Sequence, residues 1–260
     1  MADYQKHKNN KIRAGLVVLG LLCLSIGLIG QYQTNALTTS ASVGGRELPI
    51  YCVDTDEKKV ALSFDAAWGN EDTARILEIL KKNDVHVTFF MTGGWVESYP
   101  DDVKAIYEAG HDLGNHSENH KNMSQLSVEE CKSELQQVHD KVTGYDMFLF
   151  RPPYGDYDNE VITTAREMGY YPIQWDVDSL DWKNYGVSSI VQTVTEHKHL
   201  GNGSIILMHN GATYTADALE TVINSLRDQG YEIVPISELI HRDNYHMDHE
   251  GRQISEQTEK

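Results

Sequence analysis

Seven short runs rich in β-branched and aromatic residues recur along the chain: VALSFD (60–65), HVTFFMT (86–92), HDLGNH (111–116), FLFRPP (148–153), YPIQWDVD (171–178), SIILMHN (204–210) and YEIVPI (231–236). Each is bounded by turn-forming residues and is short for a buried helix, so each predicts a strand. The stretches between them repeat apolar residues at a spacing near 3.6 and predict six or more helices. Asn70 is placed to cap RILEILKK and Ser127 to cap the stretch containing ECKSELQQVHDKV, while Gly110, Gly144, Gly169 and Gly230 fall near helix ends. Regular alternation of strand and helix implies a parallel sheet buried on both faces. An incomplete (β/α) barrel and a doubly wound open sheet both satisfy it. Polar residues recur at the C-terminal ends of nearly every strand, which favours the barrel, whose sites are ringed by strand ends. The expected fold is α/β, a (β/α) barrel of about seven parallel strands.

The two ends break this pattern. After Lys6, Lys8, Lys11 and Arg13, the 17 residues Ala14–Gly30 carry no charge. At about 1.5 Å per residue they reach roughly 25 Å, within the range of a single transmembrane helix. The run is longer than the apolar core of about 7–15 residues usual in a signal peptide, and Ser40, Ala41 and Ser42 offer only a weak cleavage site, so a retained anchor is favoured over a cleaved leader. The flanking Lys and Arg hold the N-terminus inside. The chain then reads as a cell-membrane protein with an extracellular C-terminal domain, or as a secreted one if the run is cleaved. Four segments follow: 1–30 basic segment and anchor, 31–57 a Thr/Ser/Ala/Gly-rich tether, 58–240 the catalytic domain, and 241–260 a disordered polar tail.

Charge narrows the partners. The formal net charge is −17, and the part beyond residue 30 holds 18 basic against 38 acidic groups, a balance of −20. Nucleic acid is disfavoured as a partner, and the exported part is expected to be a solvated monomer. Beyond Cys23 in the apolar run, only Cys52 and Cys131 remain; nothing in their spacing demands a disulfide, and two unpaired thiols are expected.

The polar strand ends are Asp65, His116 with His120, Arg151, Asp178 with Asp181, and His209. One Asp ending a strand is ordinarily a turn or cap residue, and one His near a sheet is ordinarily structural. Their recurrence at one end of successive βα units points to a shared site. His116 and His120, four positions apart, would present two neutral imidazoles to one metal from a single turn or short helix.

SFDAAWG (63–69), HSENH (116–120), RPPYG (151–155), DSLDW (178–182) and LMH (207–209) fall in the order and approximate spacing of the polysaccharide deacetylases, the NodB-homology family of carbohydrate esterases. The chain resembles that family from about Val60 to Leu239, and in detail its peptidoglycan-directed or sporulation-associated branch in endospore formers. The resemblance implies a deformed (β/α) barrel, a divalent metal, and hydrolysis of N-acetyl groups from hexosamines of a cell-wall polysaccharide. It casts His116 and His120 as metal ligands and Asp65 as the general base. Arg151 would hold Asp65 ionised, and Tyr154 would offer its backbone N–H to the oxyanion. His209 resembles the general acid, and Asp178 would accept from its other ring nitrogen. Asp181 would brace Arg151, while Trp182 and Leu207 would shape a slot for the acetyl methyl.

One position departs from the pattern. Most of the family has a second Asp after the one matching Asp65, completing a His-His-Asp site, and here that place is Ala66. Two imidazoles with water suit zinc first, and cobalt or manganese also. Asn70, Glu71 and Asp72 are nearby in sequence but read as the start of the next helix. The gap keeps a second function class open, a membrane-tethered glycan-binding or scaffolding module with little or no catalysis. A glycosidase using paired carboxylates is weaker, since nothing in that chemistry calls for HxxxH.

Overall fold

The computed structural model describes residues 42–256; the predicted anchor and the first part of the predicted tether, 31–41, lie outside the described residues. Its strands are β1 (Ser42–Val43), β2 (Arg46–Glu47), β3 (Cys52–Val53), β4 (Lys59–Ala66), β5 (Thr88–Met91), β6 (Asp112–Asn115), β7 (Leu149–Phe150), β8 (Tyr171–Pro172), β9 (Val177–Asp178), β10 (Ile205–His209), β11 (Glu232–Ile233), β12 (Tyr245–Met247) and β13 (Arg252–Ser255). The helices are α1 (Thr73–Lys82), α2 (Gly93–Ser98), α3 (Pro100–Glu108), α4 (Val128–Lys141), α5 (Asn159–Glu167), α6 (Val187–Thr195), α7 (Thr215–Asp228) and α8 (Ile236–Leu239). None of the described helices is long and apolar enough to cross a membrane.

Seven strands pair in the order β8-β7-β6-β5-β4-β10-β9, all parallel, and β11 joins β4 beside its start. Every predicted run holds a strand. YPIQWDVD holds two, β8 and β9, which lie on opposite edges of this half-barrel sheet. Residues 48–53 run from the β8 edge to the start of β10. Ile50 N–H donates to Pro172 O and Gln174 N–H to Ile50 O on the β8 side, and Val53 N–H donates to Gly203 O just before β10. Gly203 has φ 80°, and a Cβ there would lie 1.8 Å from Val53 O, so only glycine permits the crossing.

The predicted boundaries at 57 and 241 are corrected by this packing. Leu48, Ile50 and Val53, assigned to the tether, are buried in the body. The expected disordered tail is, as far as residue 256, a hairpin: β12 and β13 pair antiparallel, and β13 lies parallel to β3. Tyr245 and Met247 point inward around the exposed His246, and Gln253 is buried with its side-chain amide joined to His241 N and O. Its partner β3 is nearly two hundred residues earlier, so no local pattern announced the pairing.

Side chains of β4 alternate between two environments. Val60, Leu62, Phe64 and Ala66 belong to the apolar layer shared with the helices, where Phe64 stacks on Phe89 at 5.2 Å. Ala61 faces the inner core with Phe90, Leu149 and Ile205, and Ser63 and Asp65 continue that inner face toward the strand's end. Each fully buried large apolar side chain contributes about 1.5–3 kcal/mol, and these two layers make the sheet a rigid platform.

Helix ends mostly follow the sequence signals. Ser127 and Glu130 form a reciprocal capping box on α4, and Gly110, Gly144, Gly169 and Gly230 all take positive φ just past helix ends. Asn70 is corrected: α1 begins at Thr73 with Asp72 in the cap position, and the Asn70 amide donates to Asp102 Oδ2. Ser127→Ala removes one half of the box and is expected to cost about 1 kcal/mol. A thermal melt should show a fall of about 2–4 °C.

Candidate active site

Register brings the chemistry to one edge. His209 is the cross-strand partner of Asp65, Asp65 of Phe90, and Ala66 of Met91, which in turn partners Asn115. His116 and Arg151 each follow directly after the last residue of β6 and β7, and Asp178 ends β9. Asp65, Ala67, Trp68, His116, His120, Tyr154, Trp175, Asp178, Trp182, Leu207 and His209 line one cavity of about 380 Å³ at these strand ends.

Asp65 and Arg151 form a buried ion pair, Nη1 donating to Oδ1 at 2.7 Å. Arg151 is wholly buried; its Nη2 donates to Ser63 Oγ and Gln174 O, and its guanidinium lies 4.1 Å over the Phe90 ring. Burial favours the neutral carboxyl of Asp65, but Arg151 above all outweighs it and holds the group below the usual carboxylate range. The fork geometry of arginine is what lets one side chain serve three acceptors.

His116 and His120 sit on a loop rather than on a helix, with Ser117 and His120 both at positive φ. Asn115 Oδ1 accepts from Ser117 N–H, Ser117 Oγ from His120 N–H, and the buried Glu134 carboxylate from both nitrogens of Asn119 and from Lys121. The loop is thus tied to α4 through Glu134 and through the Glu118–Lys141 ion pair, and the two imidazoles meet edge to face at 4.9 Å. Burial pushes His116 down to about 4 and also lowers His120, so both are neutral at pH 7.

On the opposite wall, Asp181 rather than Asp178 serves His209. Its Oδ1 accepts from Nδ1 at 2.7 Å, and its Oδ2 accepts from His209 N–H and Thr215 Oγ1. Burial would lower His209, but the Asp181 hydrogen bond and charge prevail and raise it, leaving Nε2 free to carry a proton into the cavity. Asp181 therefore takes the place expected of Asp178 beside His209, and neither carboxylate is hydrogen-bonded to Arg151. Asp181 is fully buried and does not line the cavity; Asp178 does, and it accepts from Leu180 N–H. The reason is local: Leu180 is left-handed at φ 55°, and the chain then turns into a short 3₁₀ segment that swings Asp181 under β10. Arg151 takes its bracing from Ser63 and Gln174.

Tyr154 is held at φ 61°, ψ 5°, with its ring 4.5 Å from that of His120. Trp182 is half exposed and Leu207 buried, both on the cavity wall. Ala66 belongs to the outer apolar layer and stays in the ladder, so its Cβ is on the face away from Asp65.

Among the described residues no three His, Cys, Asp or Glu side chains form a ready-made metal cage. The donor chemistry nevertheless suits a divalent cation. Arg151 O can only accept, so His116 donates from Nδ1 at 2.7 Å and keeps a lone pair on Nε2. That lone pair faces the acceptor Asp65 Oδ2 at 3.4 Å. An acceptor nitrogen turned toward a carboxylate, beside a second neutral imidazole, is donor chemistry that fits a divalent cation held by His116 and His120.

Four contributors escaped the sequence reading. Ser63 was signalled by alternation, being two residues before Asp65. Trp68 stood within the quoted SFDAAWG motif with no role given to it. Ala67 stood in the same motif without a role, and Trp175 had no signal beyond its nearness to a strand end.

Comparison with known proteins gives a consistent picture. A family model described as polysaccharide deacetylase matches residues 53–173. The peptidoglycan-N-acetylmuramic acid deacetylase PdaA of Bacillus subtilis is 32% identical over 198 residues, covering 74% of this chain and 74% of that protein. PdaC of the same organism, also named a peptidoglycan-N-acetylmuramic acid deacetylase, is 37% identical over 72% of this chain, which spans only 40% of PdaC. Among solved structures, wild-type BA3943 of Bacillus anthracis, described as a CE4 family pseudoenzyme, superposes with a TM-score of 0.71 at 38% identity, covering 75% of this chain and 69% of that one.

Proposed function

Because this chain belongs to the polysaccharide deacetylase family, we propose that it hydrolyses N-acetyl groups from hexosamines of a cell-wall polysaccharide, with peptidoglycan as the favoured glycan. The observation that carries the reading is the pairing of two differently tuned groups across one cavity. Asp65 is kept ionised by Arg151, and His209 is kept proton-bearing by Asp181, on adjacent parallel strands in register.

Amide hydrolysis needs a base for the attacking water, a stabilised oxyanion and an acid for the departing amine. Asp65 accepts the water's proton at Oδ2, since Oδ1 is engaged by Arg151. His209 delivers a proton from Nε2 to the amine nitrogen. Tyr154 N–H faces the oxyanion, its backbone set by the two prolines before it. Trp182 and Leu207 enclose the acetyl methyl. His116 and His120 would hold a divalent metal, zinc in the first place, which when bound would polarise the carbonyl and acidify water. The fold is read as a deformed barrel, tethered to the membrane by the run 14–30 as a monomer with the domain outside the cell.

Acetate release from peptidoglycan and from N-acetylglucosamine oligomers, with and without a chelator, tests this. We expect release that the chelator abolishes and zinc restores. No release from any glycan by metal-loaded protein would remove the reading. Ala66 and the lack of a third preset ligand among the described residues favour a second reading, a glycan-binding module of low turnover; it would show as peptidoglycan binding without acetate.

Asp181→Asn is expected to let His209 fall, so that the alkaline limb of the rate profile moves to lower pH. A group raised in the folded state stabilises fully below its ordinary value, 6.5 for His209, and that contribution fades as pH rises through the raised value. The variant should lose this stability chiefly in the acidic range. A pH–rate profile with melts at matched pH checks both.

A further inference from the structure

The cavity wall carries an aromatic side chain that the hydrolysis itself does not use. Trp68 is 52% exposed, a large apolar surface left open to solvent. Its ring lies 5.6 Å from that of His209 and 6.5 Å from that of His120, so it spans the distance between the acid wall and the histidine loop. The backbone beneath it is fixed. Gly69 O accepts from Trp95 Nε1–H and from Asn210 Nδ2–H, Asn210 N–H donates to Asp65 O, and a Cβ added at Gly211 would lie 3.4 Å from Gly69 O and 3.7 Å from Trp68 Cβ. An indole presented on so pinned a turn is pre-organised, and an exposed one set between reacting groups has a ligand face rather than a core face.

We propose that Trp68 is the stacking platform for the pyranose ring that bears the scissile acetamide, and so a specificity-determining residue for this site. The proposal rests on the deacetylase reading for the identity of its ligand, an N-acetylated hexosamine within a glycan. A pyranose has an apolar face of C–H groups and a polar rim. Laid on the Trp68 ring, it buries the former and leaves its acetamide turned toward Asp65 and His209. The cavity of about 380 Å³ is at the lower end for small-ligand sites and leaves room for one such ring rather than several. Trp182 lines the same cavity, half exposed, and is assigned to the acetyl methyl in the deacetylase reading.

The test uses the full chain with zinc and a tetramer of N-acetylglucosamine, comparing wild type with Trp68→Ala and Trp68→Phe. Binding is read by ligand-observed NMR and turnover by acetate release. Loss of an aromatic contact of this kind is expected to weaken Kd and raise KM about tenfold in Trp68→Ala, with kcat within about threefold. Trp68→Phe should recover most of the affinity, as a ring platform requires and a purely structural loss would not show. Unchanged Kd and KM in Trp68→Ala would overturn the proposal, as would a fall in kcat alone, which would mean that the indole acts only on the histidines. Binding is read independently of turnover, so wild type that binds the tetramer without releasing acetate counts against deacetylation of that oligomer, while the Trp68 comparison of Kd still decides the platform.

Discussion

Asp65→Asn should lower acetate release by about 100- to 10,000-fold, the range that a general base contributes. The same change also strips a buried cation of its counter-charge, since Arg151 is fully enclosed and pairs with Asp65 at 2.7 Å. Losing one member of such a pair costs about 3–5 kcal/mol when nothing replaces it. The asparagine Oδ1 can still accept from Nη1, and Ser63 Oγ and Gln174 O still accept from Nη2, so the loss should fall short of that range. The expected variant is therefore folded, less stable and almost inactive. Circular dichroism at the assay temperature beside the acetate assay separates the two effects: a variant that is folded and fully active would remove Asp65 from the mechanism.

Arg151→Met is the change with the largest expected effect on stability. It leaves Asp65 charged and buried with Oδ1 unpaired, and it leaves the Ser63 hydroxyl and the Gln174 carbonyl without their donor. The cost should approach about 3–5 kcal/mol, a large part of the roughly 5–15 kcal/mol that holds a domain together. Urea unfolding should show a lower midpoint at an unchanged slope. Arg151→Lys should recover only part of the loss, because one ammonium cannot reach three acceptors set out for a fork. Its midpoint is expected between those of Met and wild type.

The alternation of strand and helix was legible because each parallel strand is buried on both faces and so writes a nearly continuous apolar run. Which residues end those runs was legible for the same reason, and Asp65, His116, Arg151, Asp178 and His209 do stand at one edge of the sheet. What spacing could not show was direction. Asp178 and Asp181 are three apart, and the left-handed Leu180 between them decides which carboxylate goes under His209. Ala66 marked the place of a missing ligand in sequence, yet in the ladder its side chain belongs to the outer layer. The segment 48–53 and the hairpin β12–β13 were read as tether and tail because their partners are far away in the chain, and pairing at such separation leaves no periodic trace. Trp68 went unassigned because an aromatic next to a strand end is ordinarily core, and only its exposure between His120 and His209 sets it apart.

The central claim, that Asp65 and His209 act across one cavity to remove acetyl groups from a wall glycan, is tested most directly on the glycan itself. Peptidoglycan is incubated with the zinc-loaded chain or with its Asp65→Asn variant, digested to muropeptides, and separated by chromatography with mass detection. The account predicts hexosamines bearing free amines after treatment with wild type and none above background after treatment with Asp65→Asn. Identical, fully acetylated muropeptides from both would contradict it.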